Sequence, residues 1–162
     1  MPMSLRLLSL IVLLPSLAAC DSTEHGTSTA PRAAEATLAP TAGSSAHGTV
    51  RFETIEGGVL VTAEVQGLAP GGIHGFHIHE HGDCSAPDGT SAGGHFNPHG
   101  SAHGGPDAHA DRRHVGDLGN LVADSEGRAV YERLDANLQL EGDDSIVGRG
   151  VIVHAQADDL TT

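Results

Sequence analysis

Histidines are concentrated in one part of this sequence in a way that could bind a metal ion. Twelve of the 162 residues are histidine, and nine of these lie between His74 and His114. Neutral imidazole is the commonest metal ligand in proteins. On a β-strand, His77 and His79 would project from one face about 7 Å apart, where both could reach one ion. Such a pair alone is more often exposed or hydrogen-bonded in a core, but His154, at the end of an apolar run, could supply a remote third ligand.

A second group of potential ligands comprises His95, His103, His114 and Asp117. Three imidazoles and one carboxylate suit tetrahedral zinc, which accepts nitrogen and oxygen ligands. These residues fall in a glycine-rich segment, residues 82–119, without strand periodicity. A long structureless loop is uncommon inside a compact domain unless it is functional. A bound metal would order this segment, so the sequence predicts a metal-binding loop.

The remainder of the chain predicts short antiparallel strands that would position these ligands. Val59, Val61, Ala63 and Val65 alternate with more polar residues, which is the period of a half-buried strand. Aromatic residues make up 2% and there are 22 glycines, which favours a loop-rich β protein. No segment shows the period of an amphipathic helix. Further strands are predicted at residues 50–53, 73–80, 120–123, 128–134 and 150–154, with turns at residues 55–58 and 124–127.

The charge excludes one class of partner. The formal net charge is −13, and all eight basic residues are arginine. Nucleic-acid binding needs a basic surface for the phosphates, so we expect no nucleic-acid partner. The length suits one globular domain.

The N-terminus predicts export. Residues 1–19 carry one base, Arg6, and an apolar run too short to span a bilayer, as in a secretory signal peptide. The run ends in Leu-Ala-Ala before Cys20, which resembles the lipobox of bacterial lipoproteins; ordinary cleavage at small residues is the alternative. We therefore predict a lipidated Cys20, a flexible tether over residues 20–33 and a domain over residues 34–162. The protein would be periplasmic or in the cell envelope, anchored to a membrane.

Five motifs together resemble one family in their order and approximate spacing, the copper/zinc superoxide dismutases. The resemblance covers nearly all of residues 34–160 and implies an all-β, Greek-key β-sandwich or barrel with a long metal-binding loop. The motifs are GFHIHE at residues 75–80, GGHFNP at 93–98, HGGP at 103–106, HVGDLGN at 114–120 and VHAQADD at 153–159.

The resemblance implies a copper and a zinc cofactor that share one ligand, the imidazole of His95, which would bridge the two ions. Asp158 would hydrogen-bond His77 and His103 and set their tautomers. The implied activity is copper-dependent dismutation of superoxide to O2 and H2O2, which would protect the exported compartment from oxidative damage. The alternative is a non-catalytic copper/zinc-binding lipoprotein that buffers metal. The implied copper ligands, which are also the catalytic residues, are His77, His79, His95 and His154. The implied zinc ligands are His95, His103, His114 and Asp117.

The sequence departs from the family pattern at its end. Family members continue with an arginine beside copper, a cysteine and a final strand, so we expect this chain to be C-terminally incomplete, with a natural end as the alternative. Arg149 matches a different family position. Cys84 matches a disulfide cysteine, but the only other cysteine is Cys20, so Cys84 is expected to be unpaired. Whether the protein is a monomer or a homodimer stays open.

The other histidines have no predicted ligand role. His74 is predicted to pack and to hydrogen-bond the backbone. The remaining five are assigned to loops, the tether or a strand start: His25, His47, His81, His99 and His109.

Overall fold

The computed structural model describes residues 32–162, which form seven β-strands and two short 3-10 turns. The predicted signal peptide, Cys20, His25 and nearly all of the predicted tether lie outside the described residues. The strands are β1 (Ala33–Leu38), β2 (His47–Ile55), β3 (Gly58–Gln66), β4 (Ile73–His79), β5 (Asp117–Val122), β6 (Ala129–Asp135) and β7 (Gly150–Val153).

The strands form two antiparallel sheets, ordered β1-β2-β3-β6 and β5-β4-β7. Alternation places the side chains of Val59, Val61, Ala63 and Val65 on the inner face of β3, where each is at most 2% exposed. Cross-strand partners on β2, such as Val50 and Phe52, are also buried. The predicted all-β sandwich is therefore confirmed. Residues 32–162 contain no helix with the length and apolar character that a bilayer crossing requires.

Strand β4 lies at the centre of the second sheet and is buried on both faces. Phe76 and Ile78 pack into the core, while His77 and His79 on the opposite face are 3% and 7% exposed. The ladder with β5 is irregular between Gly75 and His77. A central strand whose second face is covered by polar loops explains why two histidines lie at near-core depth.

Strand β5 starts earlier than predicted, and strand β1 is not among the predicted strands. Strand β5 begins at Asp117 instead of residue 120, because Asp117 pairs with His77 across the ladder. Strand β1 is rich in alanine, a weak strand former, and forms by pairing with residues 48–53 of β2. Tertiary pairing, which local sequence does not encode, decides both.

The long segment between β4 and β5 contains only 3-10 turns at Thr90–Ala92 and Ala110–Arg112. Its middle is tied to β4, because the amide of Phe96 donates to the carbonyl of Ile78 at 2.8 Å and the amide of Ile78 donates to Gly116 at 2.9 Å. A Cβ at Gly116 would collide with the carbonyl oxygen of Ile78. Close backbone approach therefore requires glycine there, and it brings the C-terminal end of the predicted metal-binding loop against the strand.

Candidate metal centre

The fold brings the predicted ligands together from separate parts of the chain. Strand β4 carries His77 and His79, the residue after β7 is His154, and β5 begins at Asp117. The remaining three ligands, His95, His103 and His114, come from the loop between β4 and β5.

Two groups of four potential ligand atoms result, each with its atoms within 4.8 Å of one another. We call His77, His79, His95 and His154 the four-histidine cluster. We call His95, His103, His114 and Asp117 the carboxylate cluster. Both contain His95, as the resemblance implies for a shared ligand.

Hydrogen bonds on the far side of each ring orient two imidazoles of the four-histidine cluster. His77 Nε2 donates to Asp158 Oδ2 at 2.7 Å, which leaves Nδ1 with a free lone pair. His79 Nδ1 donates to the carbonyl of Gly93 at 2.9 Å, and its Nε2 lies 3.2 Å from His154 Nε2. In this network the tautomers place basic nitrogens toward the interior of the cluster.

Burial keeps three rings of the four-histidine cluster neutral, those of His77, His79 and His154. Desolvation, together with the charge of neighbouring imidazoles, lowers the pKa of His77 and of His154 from 6.5 to about 4. Desolvation also lowers the pKa of His79. At neutral pH these rings are unprotonated, which is the form that binds metal.

The carboxylate cluster is organised by Asp117, whose side chain is fully buried. Its Oδ1 lies 3.1 Å from His95 Nδ1 and from His114 Nδ1, and its Oδ2 accepts hydrogen bonds from the amides of His114 and Gly104. Burial acts to raise the pKa of Asp117, but these hydrogen bonds lower it well below its usual value. The cluster therefore holds one permanent negative charge.

Asp158 joins the two clusters. Its Oδ2 accepts from His77 at 2.7 Å and its Oδ1 accepts from His103 Nε2 at 2.8 Å. Burial opposes ionisation of Asp158, but the amide of Leu160 and the two imidazoles lower its pKa overall. His103 has a raised pKa, because Asp158 and Asp117 together outweigh its desolvation.

Several distances fit metal ions better than a hydrogen-bonded network. Bonds of about 2.0 Å to a tetrahedral ion place neighbouring ligand atoms about 3.3 Å apart. His103 Nδ1 lies 3.1 Å from Asp117 Oδ2, yet the two are not aligned as a hydrogen bond. His77 Nδ1 is buried and has no hydrogen-bond partner among the described residues. Buried polar atoms are normally satisfied, so the residues present fit a cation in each cluster.

A cavity of about 260 Å³ opens beside the clusters. Its lining includes four of the histidines, two acidic side chains, Asp158 and Asp159, and no arginine among the described residues. Arg149 lies elsewhere, with its guanidinium 3.4 Å from the centre of the Phe96 ring and its Nη1 donating to the carbonyl of Glu80.

Sequence reasoning missed a buried ion pair that supports the loop. Arg113 donates to Asp135 Oδ2 at 2.7 Å, and both side chains are 1% exposed. Arg113 also donates to the carbonyls of Pro106 and His114, and so ties the loop to β6. The signal available in the sequence was an arginine directly before a predicted ligand, which alone does not identify a buried residue.

The remaining histidines and the cysteine within residues 32–162 lie outside the two clusters. His74 Nδ1 hydrogen-bonds the carbonyl of His154 at 2.9 Å, which is a packing contact to the backbone. The half-buried carboxylate of Asp144 contacts His99, and the exposed carboxylate of Asp111 contacts His109. His47 Nδ1 contacts the carbonyl of Ser45, and Cys84 is exposed and forms no disulfide within the part of the chain that the structure describes. His81 lies 3.9 Å from Glu80.

Known proteins are similar to this chain in sequence and in fold. A superoxide dismutase [Cu-Zn] of Paramecium bursaria Chlorella virus 1 is 51% identical over 114 residues, which cover 70% of this chain and 59% of that protein. An extracellular superoxide dismutase [Cu-Zn] of Brugia pahangi is 45% identical over 114 residues, 70% of this chain and 55% of that protein. The chain thus spans less than two thirds of the length of these two relatives.

A shorter relative and a solved structure match a larger share of their own lengths. A superoxide dismutase [Cu-Zn] of Yarrowia lipolytica is 50% identical over 72% of this chain and 75% of that protein. The solved structure, the crystal structure of the clock protein EA4, superposes with a TM-score of 0.74 and 39% identity, covering 82% of this chain and 80% of that one.

A sequence model of the copper/zinc superoxide dismutase family matches residues 46–162, which include both clusters and Asp158. With relatives of about half-identical sequence and a shared fold, the chain belongs to the copper/zinc superoxide dismutase family, whose cofactors are copper and zinc.

Proposed function

We propose that the protein destroys superoxide: two superoxide anions and two protons give one O2 and one H2O2. The observation that carries the proposal is the convergence of two four-ligand clusters on the shared residue His95. We assign copper to the four-histidine cluster and zinc to the carboxylate cluster. Copper bound there would supply one-electron oxidation and reduction in turn, and zinc would hold the loop and polarise the shared imidazole.

The residues around the clusters have separate tasks in this proposal. The hydrogen bonds of His77 to Asp158 and of His79 to Gly93 hold both rings with basic nitrogens toward the cluster. His95 directs Nδ1 to Asp117, so Nε2 is the nitrogen available to the four-histidine cluster. An imidazole can hold and release a proton, and we assign delivery of a proton for H2O2 to His95 Nε2.

The charge of the protein bears on how superoxide would arrive. The whole chain has a formal charge of −13, and the described lining of the cavity contains two aspartates and no arginine. Long-range attraction of an anion is therefore weak. Attraction would have to come from the bound cations themselves, so turnover is expected to be slower than diffusion allows.

Export and membrane anchoring complete the proposal. The apolar run over residues 7–17 and the small residues before Cys20 support cleavage and lipidation, and the Brugia pahangi relative is named extracellular. In this arrangement residues 20–33 would tether the catalytic domain to a membrane in the cell envelope, where it would protect that compartment.

Superoxide decay tests the proposal directly. The purified chain reconstituted with copper and zinc is expected to accelerate decay above that of free copper at equal concentration. His154→Ala is expected to abolish this gain. His47→Ala, which removes a histidine outside both clusters, should leave the gain intact. Stoichiometric binding of both metals without turnover would overturn the enzyme proposal and favour a metal buffer.

A further inference from the structure

We propose that Asn120 is a positioning residue for both metal clusters and that it acts through Asp158. The inference rests on the metal sites proposed above and deepens them. Asn120 Nδ2 donates to the main-chain carbonyl of Asp158 at 3.0 Å, and Asn120 Oδ1 accepts from the main-chain amide of Asp158 at 2.8 Å. A primary amide offers one donor and one acceptor side by side, so it holds a residue's backbone as a neighbouring strand would.

The backbone held by Asn120 carries a carboxylate that hydrogen-bonds one further ring of each cluster. Asp158 accepts from His77 in the four-histidine cluster and from His103 in the carboxylate cluster. Its Oδ1 also accepts from the amide of Leu160 at 2.8 Å. A displaced Asp158 would lose alignment with both imidazoles together. The ring nitrogens that face the metals would then be less well oriented in both clusters.

The register of β4 and β5 explains how Asn120 reaches Asp158. Gly75 lies opposite Asn120 in the ladder, and its amide donates to the carbonyl of Gln156 at 2.8 Å. A Cβ at Gly75 would lie 3.4 Å from Asp158 Cβ and 3.5 Å from the Gln156 oxygen. The segment around Asp158 therefore packs directly over Gly75, within reach of the side chain on the neighbouring strand.

Asn120 also connects the backbone of Asp158 to the carboxylate cluster, through strand β5. It lies three residues after Asp117 on the same strand, and Asp117 is the buried anion of that cluster. Both residues pair with β4, Asn120 opposite Gly75 and Asp117 opposite His77, so the position of Asp158 is set relative to Asp117. If Asn120 only stabilised the fold, its loss would lower the free energy of unfolding. Any effect on metal affinity would then not depend on the carboxylate of Asp158.

A double-mutant cycle on metal affinity distinguishes a positioning role of Asn120, which acts through Asp158, from a purely structural role. Zinc and copper dissociation constants are measured by chelator competition for the full chain and for Asn120→Ala, Asp158→Ala and the double variant. Asn120→Ala alone is expected to weaken both metals about 10- to 100-fold, the usual effect of losing support behind a ligand. In the Asp158→Ala background the same substitution should add less than about threefold, because residues acting through one another are not additive.

Asp124→Ala is the matched control, because Asp124 Oδ1 also accepts two main-chain amides, those of Glu126 and Arg128, in the β5–β6 turn. It should lower the unfolding temperature and leave both dissociation constants unchanged. If Asn120→Ala does not fold, the isosteric Asn120→Asp carries the cycle, since it lacks the donor to the Asp158 carbonyl.

Equal losses of affinity in both backgrounds, or lost stability with unchanged affinity, would overturn the inference. If the wild-type protein binds both metals but does not dismute superoxide, the proposed function is wrong. The double-mutant cycle can still be interpreted in that case, because it measures metal affinity.

Discussion

The two clusters share His95 and differ in how they manage charge. The four-histidine cluster contains only imidazoles, and burial keeps His77 and His154 neutral, with pKa values of about 4. The carboxylate cluster contains the buried anion Asp117, and the pKa of His103 is raised there. Burial therefore disfavours protonation in the four-histidine cluster, whereas the buried anion of the carboxylate cluster attracts cations, protons included. Both clusters consist mainly of imidazoles, but the carboxylate of Asp117 makes the carboxylate cluster the more attractive of the two for cations.

Their scaffolds differ as well. Three ligands of the four-histidine cluster lie on β4 or directly after β7, whereas the carboxylate cluster takes three of its ligands from the loop. Strand ladders position the first set, and the buried pair of Arg113 and Asp135 positions part of the second. The carboxylate cluster should therefore be the more sensitive of the two to changes remote from the metals.

The largest expected effect comes from breaking the buried ion pair. Arg113→Met removes the hydrogen-bonded partner of the buried Asp135 and leaves only Arg133, whose Nε lies 3.6 Å from the same oxygen. It is expected to lower the free energy of unfolding by up to about 3–5 kcal/mol. Chemical denaturation measures this loss. Zinc affinity should fall more than copper affinity, because the loop is what moves. Arg51→Met, which removes an exposed pair with Glu35, should cost less than about 1 kcal/mol. Equal losses of zinc affinity and copper affinity would show that the two scaffolds do not differ in their sensitivity to this change.

Removing the buried anion tests the difference in charge. Asp117→Asn is expected to lower zinc affinity by more than about 100-fold, or roughly 2.7 kcal/mol, while copper affinity changes far less. An amide is a poorer ligand than a carboxylate and cannot accept on both atoms. Chelator competition for each metal gives the two constants. A parallel fall in copper affinity would show that the clusters act as one electrostatic unit.

The pH dependence of the metal-free protein separates the clusters in another way. The unfolded state protonates His77 and His154 near pH 6.5, but the folded state does so only near pH 4. Stability should therefore fall as pH drops from about 6.5 to 4, by on the order of 3 kcal/mol for the buried His77 and by less for the more exposed His154, and these groups add no further change below that. Denaturation across pH should show a shallower fall for His154→Asn. An unchanged slope would contradict the neutral four-histidine cluster.

The smallest effect is expected from the loss of Arg149, which contacts the residue that follows the shared ligand His95. Arg149→Met removes the cation over Phe96, the residue after His95, and is expected to cost about 0.5–2 kcal/mol of stability. Metal affinities should change by less than about threefold, because the backbone hydrogen bond from Phe96 to Ile78 remains. A larger loss of copper than of zinc would show that Arg149 also orients His95.

Much of this arrangement was predictable because it follows from periodic patterns and specific motifs. Alternation predicted the buried face of β3, and the spacing of His77 and His79 predicted that they share a face. The placement of His95 between two clusters followed from a family resemblance, since no local pattern in GGHFNP indicates a shared ligand. The positions of Arg113 and Asn120 were not predictable in this way, because each acts on a residue distant in sequence through hydrogen bonds that leave no periodic signal.

The sequence by itself determined the ligand types, the strand periodicity and the family, because these depend on residue identity and local order. The tertiary structure alone decided the depth of His77 and His79, the low pKa values there and the contact of Asp158 with both clusters. Those properties depend on desolvation and on packing between segments up to 81 residues apart, such as His77 and Asp158. Only the folded chain brings these segments together.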